Sequence, residues 1–286
     1  MKNELICYKQ MPIWTKDKLP QMFQEKHNTK AGIWGKITVL KGKLKFYELD
    51  EAGKIIAEHV FTPEDETPFV EPQAWHRVAV LTDDLECTLG FYCKKEDYFS
   101  KKYNLTAPHS EVKAAVESIK PCKTLDLGCG RGRNSLFLSL FGFDITAWDH
   151  NEESIAFLNN VKEKENLAIS TAFYDINQAA IQENYDFILS TVVFMFLKPE
   201  CVPAIIKNIQ EHTNVGGYNL IVSAMSTDDV PCPVPFSFTF KENELKNYYQ
   251  GWELVKYNEE MGELHKTDEN GNRIKMKFVT MLARKP

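Results

Sequence analysis

Thr124–Asn134 reads TLDLGCGRGRN, an apolar run of strand length, a glycine-rich turn and the start of a helical stretch near Asn134. An apolar run that breaks into such a turn is a buried strand delivering its end to a sheet edge. A turn that feeds a helix leaves unpaired backbone N–H groups at the positive end of the helix dipole, where a carboxylate or phosphate sits well. Glycine spacing then separates the ligands. A dinucleotide loop has the form GxGxxG, but the position it requires for its third glycine is Arg133 here, and Gly132 makes the pattern GxGxG.

Working outward, the acid Asp126 stands two residues before Gly128, and the next strand candidate, DITAWDHN, ends in Asp149, nineteen residues after Gly130. In methyltransferases that use S-adenosylmethionine, a GxGxG loop binds the methionine half of the cofactor and an acid before it receives the charged amino group. A carboxylate at Asp149 can accept from both ribose hydroxyls. Further on, FYD places Asp175 after a third strand, with Ile176 beside it, where they can meet the adenine amine and ring; a helix N-cap is the competing reading for Asp175. A fourth strand, YDFILST, delivers Thr191, Val192 and Phe194 to the carboxyl edge, where open α/β sheets hold ligands, whereas Phe194, Met195 and Phe196 read first as core. The expected cofactor-binding set is Asp126, Gly128, Cys129, Gly130, Arg133, Asn134, Asp149, His150, Asp175, Ile176, Thr191 and Val192. Tyr103 and His109 join it from the segment before the sheet, with a helix start as the alternative.

The chain has 286 residues, long enough for two domains. With 43% hydrophobic and 26% charged residues it reads as globular throughout. A net charge of −6 without long like-charged runs gives no reason to expect nucleic acid or an anionic membrane as partner, which favours a small molecule. Glu4 interrupts any apolar leader core, no stretch reaches the length of a membrane span, and the expected location is cytoplasmic. Seven cysteines are scattered without a CxxC pair, and no metal site is expected. From Ile33 to about Cys93 short alternating segments follow one another, the period of an antiparallel sandwich or barrel. Residues 1–95 are read as this all-β domain, 96–110 as a linker and cofactor lid, and 111–286 as the catalytic domain. There TLDLG, DITAWD, YDFILST and YNLIVSA alternate with helical stretches near 111–119, 134–141, 152–163 and 203–210, the order of a parallel sheet covered on both faces. The Pro- and Asp-rich MSTDDVPCPVPFSF reads as a surface loop of the kind that covers sites. WELVKYN and KMKFVTMLAR are the last strands.

Residues 98–286 resemble the bacterial tellurite-resistance methyltransferases of the TehB type. The likeness rests on YF, KY, LT and HSEV before the first strand, on TLDLGCGRGRNSL, YDFILSTVV with MFL, NVGGYNLIVSAM, and most specifically on GELHKTDENGNRIKMKF with TMLAR. It implies a class I, Rossmann-like methyltransferase with a seven-stranded sheet, S-adenosyl-L-methionine as donor and S-adenosyl-L-homocysteine as product. It also implies an acceptor among the oxyanions of tellurium, or of selenium, methylated to volatile products. The first 95 residues resemble a cupin-like or jelly-roll domain, but His59 and His76 lack the HxH and following Glu of a cupin metal site, and each reads as a structural histidine.

Methyl transfer is an in-line displacement that needs alignment and exclusion of water, and an oxyanion acceptor asks for positive charge. His265, Lys266 and Arg273 near the last strands supply it, with Arg273 suited to clamp two oxygens; His265 and Arg273 are the expected catalytic pair. A hairpin turn is the alternative, because DENGN at 268–272 is strong turn chemistry. Cys129 and Cys232 lack an evident thiolate-stabilising neighbour. Three other functions stay open: methylation of a small organic metabolite, a cofactor-binding sensor or scaffold without transfer, and a nicotinamide oxidoreductase. A homo-oligomer is compatible with all of them.

Overall fold

The computed structural model describes residues 5–267 and 269–286, apart from the side chains of residues 265 and 266. Two compact units divide the chain, 1–105 and 106–286. No helix among the described residues is long and apolar enough to cross a membrane.

The first unit is built of β1 (Leu5–Gln10), β2 (Trp14–Thr15), the short α1 (Gln21–Gln24), β3 (Trp34–Lys41), β4 (Leu44–Leu49), β5 (Ile55–Phe61), β6 (His76–Val80), β7 (Glu86–Lys94) and α2 (Tyr98–Tyr103). In one antiparallel sheet β7 pairs with β1, β2 and β3; in the other β4 lies between β5 and β6. The period-2 pattern seen from Ile33 onward is the reason for two layers. On β4, Leu44, Phe46 and Leu49 are buried, and Leu44 and Phe46 share a core with Val39, Val78, Cys87 and Leu89. The segment expected as a linker is partly structural, since α2 packs on β1 and β7 and buries Phe99. His59 bonds Glu48 at 2.9 Å, an exposed pair. His76, read as a structural histidine, faces His27. Among the described residues no three His, Cys, Asp or Glu side chains cluster as metal ligands.

The second unit runs α3 (Ser110–Ser118), β8 (Lys123–Leu127), α4 (Arg133–Leu140), β9 (Asp144–Asp149), α5 (Glu152–Lys164), β10 (Ile169–Phe173), β11 (Tyr185–Thr191), α6 (Val202–Glu211), β12 (Thr213–Ala224), α7 (Glu244–Tyr248), β13 (Glu253–Thr267) and β14 (Arg273–Arg284). Its seven strands lie in the order β10-β9-β8-β11-β12-β14-β13. Pairing is parallel from β10 to β12, and the β13–β14 hairpin adds two antiparallel strands. Strands covered on both faces are mainly apolar: Leu125 and Leu127 of β8 and Phe187, Ile188 and Leu189 of β11 are all buried, and the buried polar residues Asp126, Ser190 and Thr191 lie toward the carboxyl ends. Helix α5 starts where Asn151 accepts from Ser154 N at 2.8 Å, with Glu152 and Glu153 in its first turn. Strand β13 is much longer than WELVKYN alone suggested, because its second half continues the hairpin pairing with the start of β14.

Candidate active site

Sheet order reverses between β8 and β11. Chain leaving β8 continues toward β9 on one side, and chain leaving β11 toward β12 on the other, so a crevice opens above their carboxyl ends. Leu127 and Thr191 end these two strands, and the glycine loop starts there.

The three glycines of the loop serve different ends. A Cβ on Gly128 would lie 2.5 Å from Val193 Cγ2, and one on Gly132 would lie 2.5 Å from Leu158 Cδ1. Both are glycines because neighbours pack against the main chain. Gly130, at φ +54°, has nothing within 4 Å of where its Cβ would be. This bare backbone beside the start of α4 is a cradle that a side chain would fill, and it fits the close approach of a ligand.

Asp149 closes the cradle. Its Oδ2 accepts from Gly130 N at 2.7 Å and its Oδ1 from Asn151 N at 2.9 Å. Two backbone donors fix the carboxylate and leave further lone pairs for hydroxyls. His150 is exposed, with Nδ1 3.6 Å from Asp149 Oδ1. Asp126 is almost wholly buried and accepts from Ser135 Oγ at 2.6 Å. Burial pushes its carboxyl up to about 6, with Asp149's charge adding to the rise, against the Ser135 bond and the charge of Arg133. An ionised group held in so dry a place gains from an incoming ammonium.

Asn134, in the first turn of α4, ties three elements together. Its Nδ2 donates to Thr191 Oγ1 at 3.0 Å, and its Oδ1 accepts from His109 N at 2.9 Å. Val192 follows at φ +62°, a left-handed conformation that costs a β-branched residue dearly, held by Val192 N donating to Val222 O at 2.7 Å. Strain at the sheet edge, beside the cradle, is where function tends to place it.

Arg133 and Val192 also border a cavity of about 730 Å³, whose walls include His109, Met195, Phe196 and Phe236. Its acidic lining residues are Glu111, Glu260 and Glu263, and Arg133 is the one permanent cation among the described lining residues. Burial lowers the Arg133 guanidinium from its ordinary value, against the attraction of Asp126. Glu111 is paired with Lys256 at 2.6 Å.

Several expectations meet a different arrangement. Asp175 takes the capping role: its Oδ1 accepts from Asn177 N at 3.0 Å and Nδ2 at 2.8 Å, and these bonds hold its carboxyl below the ordinary value. Ile176 is packed into the core beneath the sheet. Phe194 and Met195 are buried as core, but Phe196 is 62% exposed and stands on the cavity wall, edge-on to Phe236 at 5.5 Å. Arg273 does not line the cavity; its Nη1 lies 3.9 Å from Glu263 Oε2 across the hairpin. The side chain of His265 lies outside the described residues. His109 caps α3, its Nδ1 accepting from Glu111 N at 3.2 Å, and lines the cavity as well. Tyr103 ends α2 in the first unit, stacked with Phe99 at 6.3 Å.

Cys129 is buried, and burial with the charges of Asp126 and Asp149 pushes its thiol far above the usual range, which keeps it from acting as a thiolate. Cys232 donates from Sγ to Val234 O at 3.3 Å. The wall residues Phe236, Glu260, Met261 and Phe278 escaped the reading of single residues. Their segments carried a signal nonetheless, since Val234 and Phe236 belong to the Pro-rich loop, and Glu263, Leu264 and Phe278 to GELHKTDENGNRIKMKF.

Comparison with known proteins agrees with this geometry. The family described as tellurite resistance protein TehB matches residues 91–282, and the TehB-like domain matches residues 9–89. A Haemophilus influenzae protein described as a probable S-adenosyl-L-methionine-dependent methyltransferase TehB is 80% identical over 285 residues, covering 100% of both chains. The crystal structure of TehB from Haemophilus influenzae superposes with a TM-score of 0.96 at 79% identity, again over 100% of each chain. An Eikenella corrodens protein named hemagglutinin 1 is 52% identical over 240 residues, 84% of this chain and 80% of its own.

Proposed function

This chain belongs to the TehB family of S-adenosylmethionine-dependent methyltransferases, and on that premise we propose that its methyl acceptor is a tellurite-derived, or selenite-derived, species released as a volatile methylated product. The observation that carries the reading is that the 730 Å³ cavity is lined by Arg133, the first residue of α4 after the glycine loop, and by Val192, the residue that follows β11. A cofactor held at the glycine loop would have this cavity within reach for an acceptor.

The cofactor, when bound, supplies a methyl group made electrophilic by its sulfonium sulfur. The chain's own residues bind and orient. Asp126 would receive the methionine ammonium, Asp149 the ribose hydroxyls, and the α4 N-terminus with Arg133 a carboxylate or an acceptor oxygen. Phe196, Phe236 and Met195 give the cavity a dry wall, which favours a displacement that water would compete with. Neither cysteine is needed as a nucleophile, because a reduced metalloid oxyanion brings its own lone pair.

A second reading has its own observation. Glu111, Glu260 and Glu263 on a largely apolar wall suit a small organic acceptor that is neutral or cationic better than a bare oxyanion. Incubating the full chain with methyl-labelled cofactor, a thiol reductant and tellurite or selenite, and analysing the headspace by mass spectrometry, separates the two. Labelled dimethyl chalcogenides are expected. Their absence with both oxyanions, alongside rapid turnover of a metabolite fraction, would move the assignment to the organic acceptor.

A further inference from the structure

The N-terminal unit has an interior that methyl transfer leaves unused. Between its sheets lies a cavity of about 370 Å³, walled by Trp14, Phe23, Leu44 and Val78 and lined also by His27 and His76. The two rings meet at 4.1 Å between centroids. They meet because the backbones of residues 27 and 76 exchange both hydrogen bonds, at 3.0 and 2.9 Å.

The tautomers follow from the partners. His27 Nδ1 stands 2.9 Å from Glu25 O, and His76 Nδ1 stands 2.8 Å from Ala74 O. A carbonyl can only accept, so each Nδ1 carries the hydrogen, and in a neutral ring Nε2 is then a bare lone pair. Burial lowers both imidazoles, His76 to about 4, so both rings are neutral at physiological pH. No group among the described residues bonds either Nε2, and neither atom is sealed off, for Ser223 Oγ alone among the described buried side-chain atoms is both sealed and unpaired. Yet His76 as a whole is only 6% exposed. A nearly buried ring whose one free polar atom still has open space beside it presents that atom to a cavity it lines. His76 borders this one and a second of about 300 Å³ beside Phe46, His59 and Trp75, and its contact with His27, which lines this one and not the second, favours this one.

We propose that this cavity binds a small, neutral, mainly apolar molecule bearing an O–H or N–H donor, of the phenol or indole type, with the donor on Nε2 of His76. Its volume falls in the usual range for small-molecule sites, and an apolar wall with one or two placed polar atoms is their usual chemistry. Lys9 and Lys30 also line the cavity, so the neutral imidazoles and the mainly apolar remainder of the lining, and not a lack of cations, are what favour an uncharged ligand. A metal ion lacks a third ligand among the described residues, and Cys87, which also lines the cavity, has its thiol pushed up to about 11 by burial.

The test is calorimetry of the full chain with p-cresol and indole against toluene, joined to nitrogen NMR of labelled histidine rings. Expected are one p-cresol or indole site per chain, toluene about tenfold weaker for want of one hydrogen bond, and a p-cresol-induced shift confined to the Nε2 resonances. His76→Phe removes the tenfold preference, and Leu44→Phe, which fills the cavity, removes binding of all three. Should these variants fail to fold, the NMR shift on the unaltered chain decides. The proposal is overturned by equal affinity for p-cresol and toluene, by an absence of saturable binding, by p-cresol binding that survives Leu44→Phe, or by a zinc or copper ion held at one per chain through these rings.

Discussion

The two units keep their polar groups in opposite places. In the second unit the strands are mainly apolar and the candidate groups sit at the carboxyl ends of β8, β9 and β11 and in the connections that follow them. In the first, neutral imidazoles stand in the interior between two sheets. A site made of connections is assembled locally, from a strand, its turn and the helix that follows. A site in a sandwich interior exists only once distant strands have paired. The same contrast recurs within the glycine loop, where outer glycines answer to packing and the middle one faces open space that the proposed cofactor would fill, and it can be broken there with the largest effects. Gly132→Ala puts a methyl 2.5 Å from Leu158 at φ +84°, and about 3 kcal/mol of stability should be lost. Gly130→Ala meets only the backbone strain of φ +54°, about 1 kcal/mol, but its methyl fills the cradle and should weaken S-adenosylhomocysteine binding by about 100-fold or more, on the order of 3 kcal/mol. Thermal unfolding and calorimetry on both variants read the split. Unaltered cofactor affinity in Gly130→Ala would remove the distinction.

Asp126 sharpens the comparison, because a group placed for a ligand should burden the fold. Its folded carboxyl, at about 6, lies above its ordinary value near 3.8. Folding therefore favours the proton: that contribution is fully present below about pH 4 and is lost as pH rises through 6. At pH 7 the ionised group costs the ligand-free fold on the order of 2–3 kcal/mol. Asp126→Asn keeps an acceptor for Ser135 and removes the charge. Its melting temperature without ligand should exceed that of the unaltered chain at pH 7, with the gap closing by pH 4. Cofactor affinity should move the other way, falling about tenfold or more at pH 7. In the unaltered chain the affinity should weaken below pH 6 as Asp126 protonates, a dependence the Asn variant lacks. A variant that is less stable at pH 7 would mean that the charge is already compensated by Arg133.

This contrast also marks how much the sequence could say. The candidate cofactor side could be assembled from sequence because Asp126, Gly130, Asn134 and Asp149 lie within 24 residues of chain, and strand, turn and helix fix their relations locally. Helices α3 to α6 were placed to within about a residue for the same reason, whereas the short α1, α2 and α7 were not foreseen. The cavity walls were not readable residue by residue. Phe236, Glu260 and Phe278 meet Arg133 only through sheet order and the β13–β14 register, and neither follows from local pattern. Phe196 looked like core from its neighbours, yet in the turn Phe194–Phe196 the first two residues face inward and the third faces out. His76 looked solitary because its partner, His27, is 49 residues away and reaches it through an isolated bridge.

Arg273 gives the smallest expected effect and tests the acceptor side. Chemistry alone makes a guanidinium near the last strands an attractive oxyanion clamp. Its place in the structure is an exposed pair with Glu263, 3.9 Å apart, with the two side chains 57% and 44% exposed. Such a pair is worth about 0.5 kcal/mol or less, since water screens both charges and two long side chains lose freedom in meeting. Arg273→Ala should therefore change the melting temperature by a degree or so and leave the acceptor KM within about twofold. Arg133→Met, by contrast, should raise the KM of an anionic acceptor by about tenfold or more, because it takes the one described cation from the cavity wall. A steady-state comparison of the two variants at fixed cofactor saturation reads this order. If Arg273→Ala raised KM as much as Arg133→Met, the hairpin would have to fold over the cavity during turnover, and the acceptor side would then be assembled by motion instead of by the resting sheet.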